Sequence, residues 1–276
     1  MMLQERAIQT ALGALHVRMA GEGPAILFWP SLLMDGTMWL DVARRLSSRY
    51  TVVLIDPPGH GKSDTLTRHF DFTTCAECIL NILDTLGIER AHYVGNSWGA
   101  MVGGTFAAQY PRRIGCAILM NGTASPCGPA QRIRFQMMIL LGRLLGGIRG
   151  PLLPKAVKAF LGPTSQRERP QVVAAVRAAL GRVDFNSGRW AVESVVLRRP
   201  DQHALYQTIR TPVLVVAGLE DATFPVSETR AAAEAIPGAS FSVMDNAAHL
   251  AGLECPADTS DMIDAFIVSD WVPAQS

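Results

Sequence analysis

Length, composition and charge set the outer limits on what this chain is. It has 276 residues, 49% of them hydrophobic, and a formal net charge of +1, which suits one large α/β core with an insertion better than two complete domains. The near-zero charge and the lack of a basic tail give no footing for a nucleic-acid binder or for a membrane-surface protein overall. The opening stretch MMLQERAIQTALG carries charges where a signal peptide would hold its apolar core, and no later run is long and apolar enough to span a bilayer, so the cytoplasm is the expected location.

Taken in chain order, AIQTALGALHVRMAG before residue 24 reads as a polar hairpin of alternating strands turning around Leu12-Gly13. Beyond it the pattern changes to continuous apolar runs, expected as strands at 25–30, 51–56, 90–96, 114–122, 211–218 and 239–246. Helical spacing occupies 36–48, 75–87, 98–110, 227–236 and 256–268 between them. Buried strands alternating with helices predict a mostly parallel sheet covered on both faces, with function at the carboxyl ends of the strands.

The alternation breaks between residues 123 and 210, where Leu-, Met- and Arg-rich helical stretches interrupted by Pro and Gly predict an inserted helical cap. The core is then 1–122 together with 211–276. From 126 to 206 there are thirteen Lys/Arg against four Asp/Glu, giving the cap about +9 and the remainder about −8. Most of these arginines are expected on solvated helix faces; one or two turned inward would meet an anionic substrate, because a guanidinium grips a carboxylate bidentately. An apolar cap surface is compatible with a pocket roof or with a homo-oligomer interface.

The five Cys are expected as free thiols, since an odd number in a long chain is no disulfide framework. Cys75 and Cys78 form a lone CxxC on a helical stretch, short of the four ligands a structural zinc needs. DPPGHGKS resembles a phosphate loop only at its end: the required first glycine is replaced by Asp56. Asp56, Gly59, His60 and Gly61 instead shape a turn beside the pocket. No metal-ligand cluster, dinucleotide fingerprint or cofactor lysine is evident, so side chains alone are expected to carry the chemistry, with no metal and no cofactor.

Those side chains follow from placement. YVGNSWGAMVGG is a strand running into a helix with Gly95-Asn96-Ser97-Trp98-Gly99 at the join, a turn that holds the Ser97 hydroxyl above the sheet at the positive end of the helix. A serine needs a base, and the base an orienting acid. Asp221 lies beyond the strand TPVLVVAG, and His249 beyond the strand ASFSVMDN, so Ser, Asp and His each follow a different strand. Glu220 and Asp245 compete less well for the acid role, Asp245 being only four residues before His249. His16, His60, His69, His92 and His203 lack such placement and read as surface or hydrogen-bonded residues.

With these residues in hand, the chain resembles the α/β-hydrolase superfamily from about 24 to 122 and from 211 to 268, through GNSWG, DPPGHGKSD, GLEDATFP and AAHLAGLECP. The resemblance implies Ser97 as nucleophile, His249 as general base and then acid, Asp221 as the residue that orients it, and hydrolysis through an acyl-enzyme. Serine at 97 speaks against epoxide hydrolases and haloalkane dehalogenases. The strand after the nucleophile helix, where some members keep the acid, ends in Asn121. The superfamily's oxyanion hole implies the backbone N–H of Trp98 and, counting back from Trp39 in FWPSLLMDGTMW, the N–H of Leu32. Pro30 and Ser31 stand where many members have His-Gly, yet a backbone donor needs no particular side chain.

Among members, the chain is most similar to 3-oxoadipate enol-lactonases. Those enzymes replace His-Gly by a polar residue followed by Ser-Leu, of which this chain has the Ser31-Leu32 part after Pro30; it also shares Asp35, the Met38-Trp39 pair and AAHL followed by Glu254 and Pro256, while Trp98 and Ala100 depart from the usual Met and Gly. That likeness implies a small ester or carboxylated lactone as substrate, with Ser31, Trp39, Asn96 and Leu250 bordering its pocket. Gly95-Asn96-Ser97 also resembles carbon–carbon hydrolases of the meta-cleavage type, although Leu250 replaces their usual Trp. Cofactor-free perhydrolase activity and a hydrolase-fold ligand-binding protein are the further alternatives.

Overall fold

A computed structural model describes residues 1–270; the last six positions of the expected core segment, 271–276, lie outside the described residues. The expected hairpin is present as β1 (Gln4–Thr10) and β2 (Gly13–Ala20), antiparallel in a register that pairs Thr10 with Gly13. The apolar runs become β3 (Ala25–Trp29), β4 (Thr51–Ile55), β5 (Ala91–Asn96), β6 (Ile114–Met120), β7 (Val213–Gly218) and β8 (Ser240–Met244). They form one eight-stranded sheet in the order β1-β2-β4-β3-β5-β6-β7-β8, parallel from β4 to β8.

Successive strand residues face opposite sides, and here each side has its own core. Leu27, Trp29, Val53 and Tyr93 pack beneath α2 (Phe72–Thr85) and α3 (Trp98–Gln109). Ile26, Phe28, Leu54 and Val94 pack against the opposite helices, α1 (Leu40–Leu46) and α12 (Pro256–Asp270).

Local chemistry moves two expected boundaries. Asp71 accepts the Thr74 amide at 2.8 Å and starts α2 three residues before the expected 75. The expected helix at 36–48 divides into a 3-10 turn, Gly36–Trp39, capped by Asp35, and then α1.

Between β6 and β7 the chain is helical: α4 (Pro129–Leu145), α5 (Leu152–Phe160), α6 (Pro163–Glu168), α7 (Pro170–Arg182), α8 (Phe185–Val192), a π turn at Glu193–Leu197 and α9 (His203–Tyr206). This segment joins both cores, Phe160 and Val176 entering one and Ala191 and Val196 the other. The remaining helices are α10 (Val226–Glu234) and the short α11 (Ala251–Glu254). Among the described residues no helix is long and apolar enough to cross a membrane.

The site's position follows from topology. Strand order reverses at β3, which is flanked by β4 on one side and β5 on the other, so the connections leaving β3 and β5 diverge and open a crevice at their carboxyl ends. Closing that crevice from below is the N-terminus of α3. A Cβ on Gly99 would overlap the Trp29 carbonyl, and one on Gly95 would overlap the carbonyl of Gly99. We expect Gly99→Ala to force β3 and α3 apart and to destabilise the fold by about 3 kcal/mol, the upper end of ordinary overpacking. Urea denaturation would measure it; an unchanged midpoint would contradict the close packing.

Candidate active site

Ser97 links β5 to α3 with φ 57° and ψ −106°. A non-glycine residue there is strained and persists only where its surroundings over-determine it. They do: the Ser97 amide donates to the Met120 carbonyl at 2.8 Å, and its carbonyl accepts from Met101 at 3.1 Å. The side chain opens on a cavity of about 150 Å³ beneath the cap helices.

His249 lines the same cavity, in the connection between β8 and α11. Its Nδ1 lies 2.8 Å from Asp221 Oδ2, both side chains being essentially buried. With Nδ1–H donating to the carboxylate, Nε2 is left as the acceptor of the ring. Asp221 is itself fixed, its Oδ1 accepting the amides of Thr223 at 2.7 Å and Phe224 at 3.1 Å. Of the two rival acids, Glu220 accepts the Thr164 amide and hydroxyl and Asp245 is exposed.

The backbone around His249 is held from several sides. Glu254 Oε1 accepts the amides of Ala248 and Leu250, each at 3.0 Å, and Glu254 Oε2 accepts the Ser165 hydroxyl at 2.6 Å. Burial pushes the Glu254 carboxyl above its ordinary pKa, against the pull of these donors. The His249 amide donates to Phe160, and its carbonyl accepts Asn96 Nδ2 at 2.7 Å and Asn121 Nδ2 at 3.2 Å.

These bonds correct three pocket expectations. Asn96 does not face the cavity, because its amide is spent on the His249 carbonyl. Trp39 is fully buried against Phe28 and under Gly252, away from the cavity. Leu250 is likewise buried in the core beneath the sheet rather than beside the substrate space, its amide held by Glu254. Ser31 does border the cavity, and its hydroxyl has no protein partner among the described residues. The bulk of Trp98 is also turned from the cavity, packed among Trp29, His60 and Phe70.

The loop after β3 places Leu32 on the cavity wall. Within it the Met34 amide donates to Ser31 O at 3.1 Å, and the Leu33 amide donates to His60 Nε2 at 3.0 Å. That leaves the Leu32 amide unengaged in this turn. Trp98, first in α3, also has a helix-start amide with no intrahelical acceptor. Leu33 has φ 66°, a left-handed conformation costly for a leucine, so the His60 bond secures an otherwise unfavourable turn. His60 is suited to it: Nδ1 donates to Pro58 O at 2.9 Å, making Nε2 an acceptor, and burial holds its pKa below the ordinary value so that the ring stays neutral. Its ring also packs against that of Trp98, with centroids 5.5 Å apart.

The cavity wall is otherwise carbon-rich, with Leu33, Met101, Phe135, Ile139, Phe160 and Val196 among its members. Only one of the cap's many cations reaches it. Arg199 is 6% exposed, donating from Nε to Ser125 O at 2.7 Å and from Nη2 to Gln131 Oε1 at 3.1 Å, with Phe224 beneath its guanidinium. Burial lowers its pKa, and among the described residues no carboxylate lies within ion-pair distance. The excess of arginines is visible in the sequence, but nothing in it singles out Arg199. The expected place of His60, in the turn after β4 beside the pocket, is where the structure has it, but its bond to the Leu33 amide has no signal in the sequence.

We expect His60→Ala to lower kcat for a soluble ester about tenfold to a hundredfold with KM little changed, part of the penalty for losing an oxyanion donor outright. Steady-state kinetics would test this, with His60→Gln, which keeps an acceptor, recovering part of the loss. Equal changes in kcat and KM in both variants would contradict a positioning role.

Comparison with known proteins agrees with the geometry. A family model described as the alpha/beta hydrolase fold matches residues 24–169. A 2-hydroxy-6-oxononadienedioate/2-hydroxy-6-oxononatrienedioate hydrolase of Paraburkholderia phymatum is 30% identical over 262 residues, covering 91% of this chain and 86% of its own. The 3-oxoadipate enol-lactonase 2 of Acinetobacter baylyi is 26% identical over 242 residues, covering 88% of each chain. Among solved structures, the enol-lactonase of Burkholderia xenovorans superposes with a TM-score of 0.87 at 24% identity, over 96% of this chain and 100% of that one. With its elbow serine, its strand order and these relatives, the chain belongs to the alpha/beta hydrolase family.

Proposed function

We propose that the protein is a serine hydrolase that cleaves a small carboxylic ester or lactone through an acyl-enzyme on Ser97. The observation that carries this reading is the shared cavity: a strained serine and a histidine hydrogen-bonded to a buried aspartate open on one apolar room. His249 Nε2 takes the Ser97 proton as Oγ bonds to the carbonyl carbon, and the displaced electron pair settles on the carbonyl oxygen between the Leu32 and Trp98 amides. The imidazolium, steadied by Asp221, then protonates the departing oxygen as the carbon–oxygen bond breaks. Water, deprotonated by His249, releases the acyl group and restores Ser97.

The substrate in this reading carries a carboxylate, received by Arg199. Supporting it are the guanidinium buried on the cavity wall, with no carboxylate of the described residues within ion-pair distance, and the enol-lactonases among the relatives. A second reading, hydrolysis of a carbon–carbon bond in a vinylogous diketo acid, is favoured by the relative at 30% identity. It would use the same serine and the same cation.

A panel of short esters and lactones, each with and without a terminal carboxylate, together with one vinylogous diketo acid, separates these readings. We expect Ser97→Ala to abolish about 10⁴-fold or more of the wild-type turnover. Arg199→Met should lower kcat/KM for carboxylated substrates about tenfold to a hundredfold, the worth of a hydrogen-bonded charge, and leave neutral ones within a few-fold. Retained turnover in Ser97→Ala contradicts the serine mechanism; equal losses on neutral and anionic substrates contradict the role of Arg199; preference for the diketo acid favours the second reading.

A further inference from the structure

Helix α4 has two apolar faces, and only one of them is covered. Phe135, Met138 and Ile139 are turned onto the cavity. On the other side Ile133, Met137, Leu140 and Leu144 are 63, 61, 50 and 76% exposed. Their spacing of four, three and four residues sets them in one row along the helix. A surface helix ordinarily presents polar residues there, and a contiguous exposed apolar row marks an interaction surface.

The charges around the row say what covers it. Arg132, Arg134 and Arg143 on α4, and Arg149 just beyond it, are all exposed. No Asp or Glu occurs between residues 122 and 167. Only Arg143 among the four has a carboxylate neighbour in the described residues, Glu193 at 3.8 Å. A second copy seated row to row would bring arginines against arginines, without the flanking opposite charges that pair helices across such a seam. An anionic lipid surface satisfies both features, with apolar side chains among the acyl chains and guanidiniums on phosphates. At 17 residues with this charge, α4 fits lying in the plane of the interface rather than crossing it.

We propose that the exposed face of α4 docks the protein on an anionic lipid surface. The near-zero net charge of the chain conceals this patch because the excess positive charge is concentrated on the cap. Docking would put the cavity on the inner side of α4 one helix away from the lipid surface. It does not depend on which bond the enzyme cleaves.

Co-sedimentation of the full chain with phosphatidylglycerol/phosphatidylcholine vesicles, and with phosphatidylcholine alone, tests the proposal directly. We expect at least about tenfold stronger partitioning onto the anionic vesicles, reduced by high salt, as each surface arginine contributes near such a membrane. Leu140→Gln/Leu144→Gln and Arg132→Gln/Arg134→Gln should each reduce that partitioning about tenfold while thermal unfolding and soluble-ester turnover stay as in the wild type. Equal binding to neutral and anionic vesicles, absence of binding at low salt, or variants that bind like the wild type would overturn the proposal. So would a dimer on size-exclusion chromatography that the Leu140→Gln/Leu144→Gln variant dissolves, because the row would then seat a second copy.

Discussion

The approach of α3 to β3, backbone against backbone at Gly99 and the Trp29 carbonyl, is the constraint on which the rest of the site depends. With no side chain between them, the start of α3 sits directly below the loop that continues β3. Ser97 takes its left-handed conformation in the residue before that helix, and Leu32 follows Trp29 by three positions on the other side. The two amides expected to bind an oxyanion therefore come from the two elements that Gly99 allows to touch.

The second organising feature is how closely the cap is tied to the loops that hold Asp221 and His249. The Ala159 carbonyl accepts the Thr223 hydroxyl and the Phe160 carbonyl the His249 amide, while Thr164 and Ser165 donate to Glu220 and Glu254. Arg169 completes the tie, bonding Ser165 Oγ at 2.8 Å and the Asn246 carbonyl at 2.7 Å. The end of α5 and the start of α6 thus act as a brace across both loops. These hydrogen bonds hold the loops of Asp221 and His249 to the helical segment between β6 and β7.

Much of this was legible in the sequence because it depends on local chemistry. Short Val/Ile/Leu-rich runs bounded by turn residues read as strands buried on both faces, and Gly95-x-Ser97-x-Gly99 at a strand-to-helix join restricts the turn to very few conformations. Asp221 and His249 could be placed because each directly follows a strand. What stayed hidden depends on contacts distant in sequence. Asn96, next to Ser97, was expected in the pocket, but its amide reaches a carbonyl 153 residues away. Trp39 was expected there too, and the 3-10 turn rotates it into the core under Gly252. Arg199 could not be distinguished from the twelve other cap cations, since which of them turns inward is decided by Ser125, Gln131 and Phe224, all far from it along the chain.

The central claim, that Ser97 is a nucleophile activated by His249, is tested most directly by the intact mass of the protein after incubation with a fluorophosphonate. The account predicts one phosphonyl adduct on the wild type, none on Ser97→Ala, and greatly slowed labelling in His249→Ala, because the hydroxyl reacts only when a base takes its proton. No adduct on the wild type, or an equal adduct on Ser97→Ala, would contradict it.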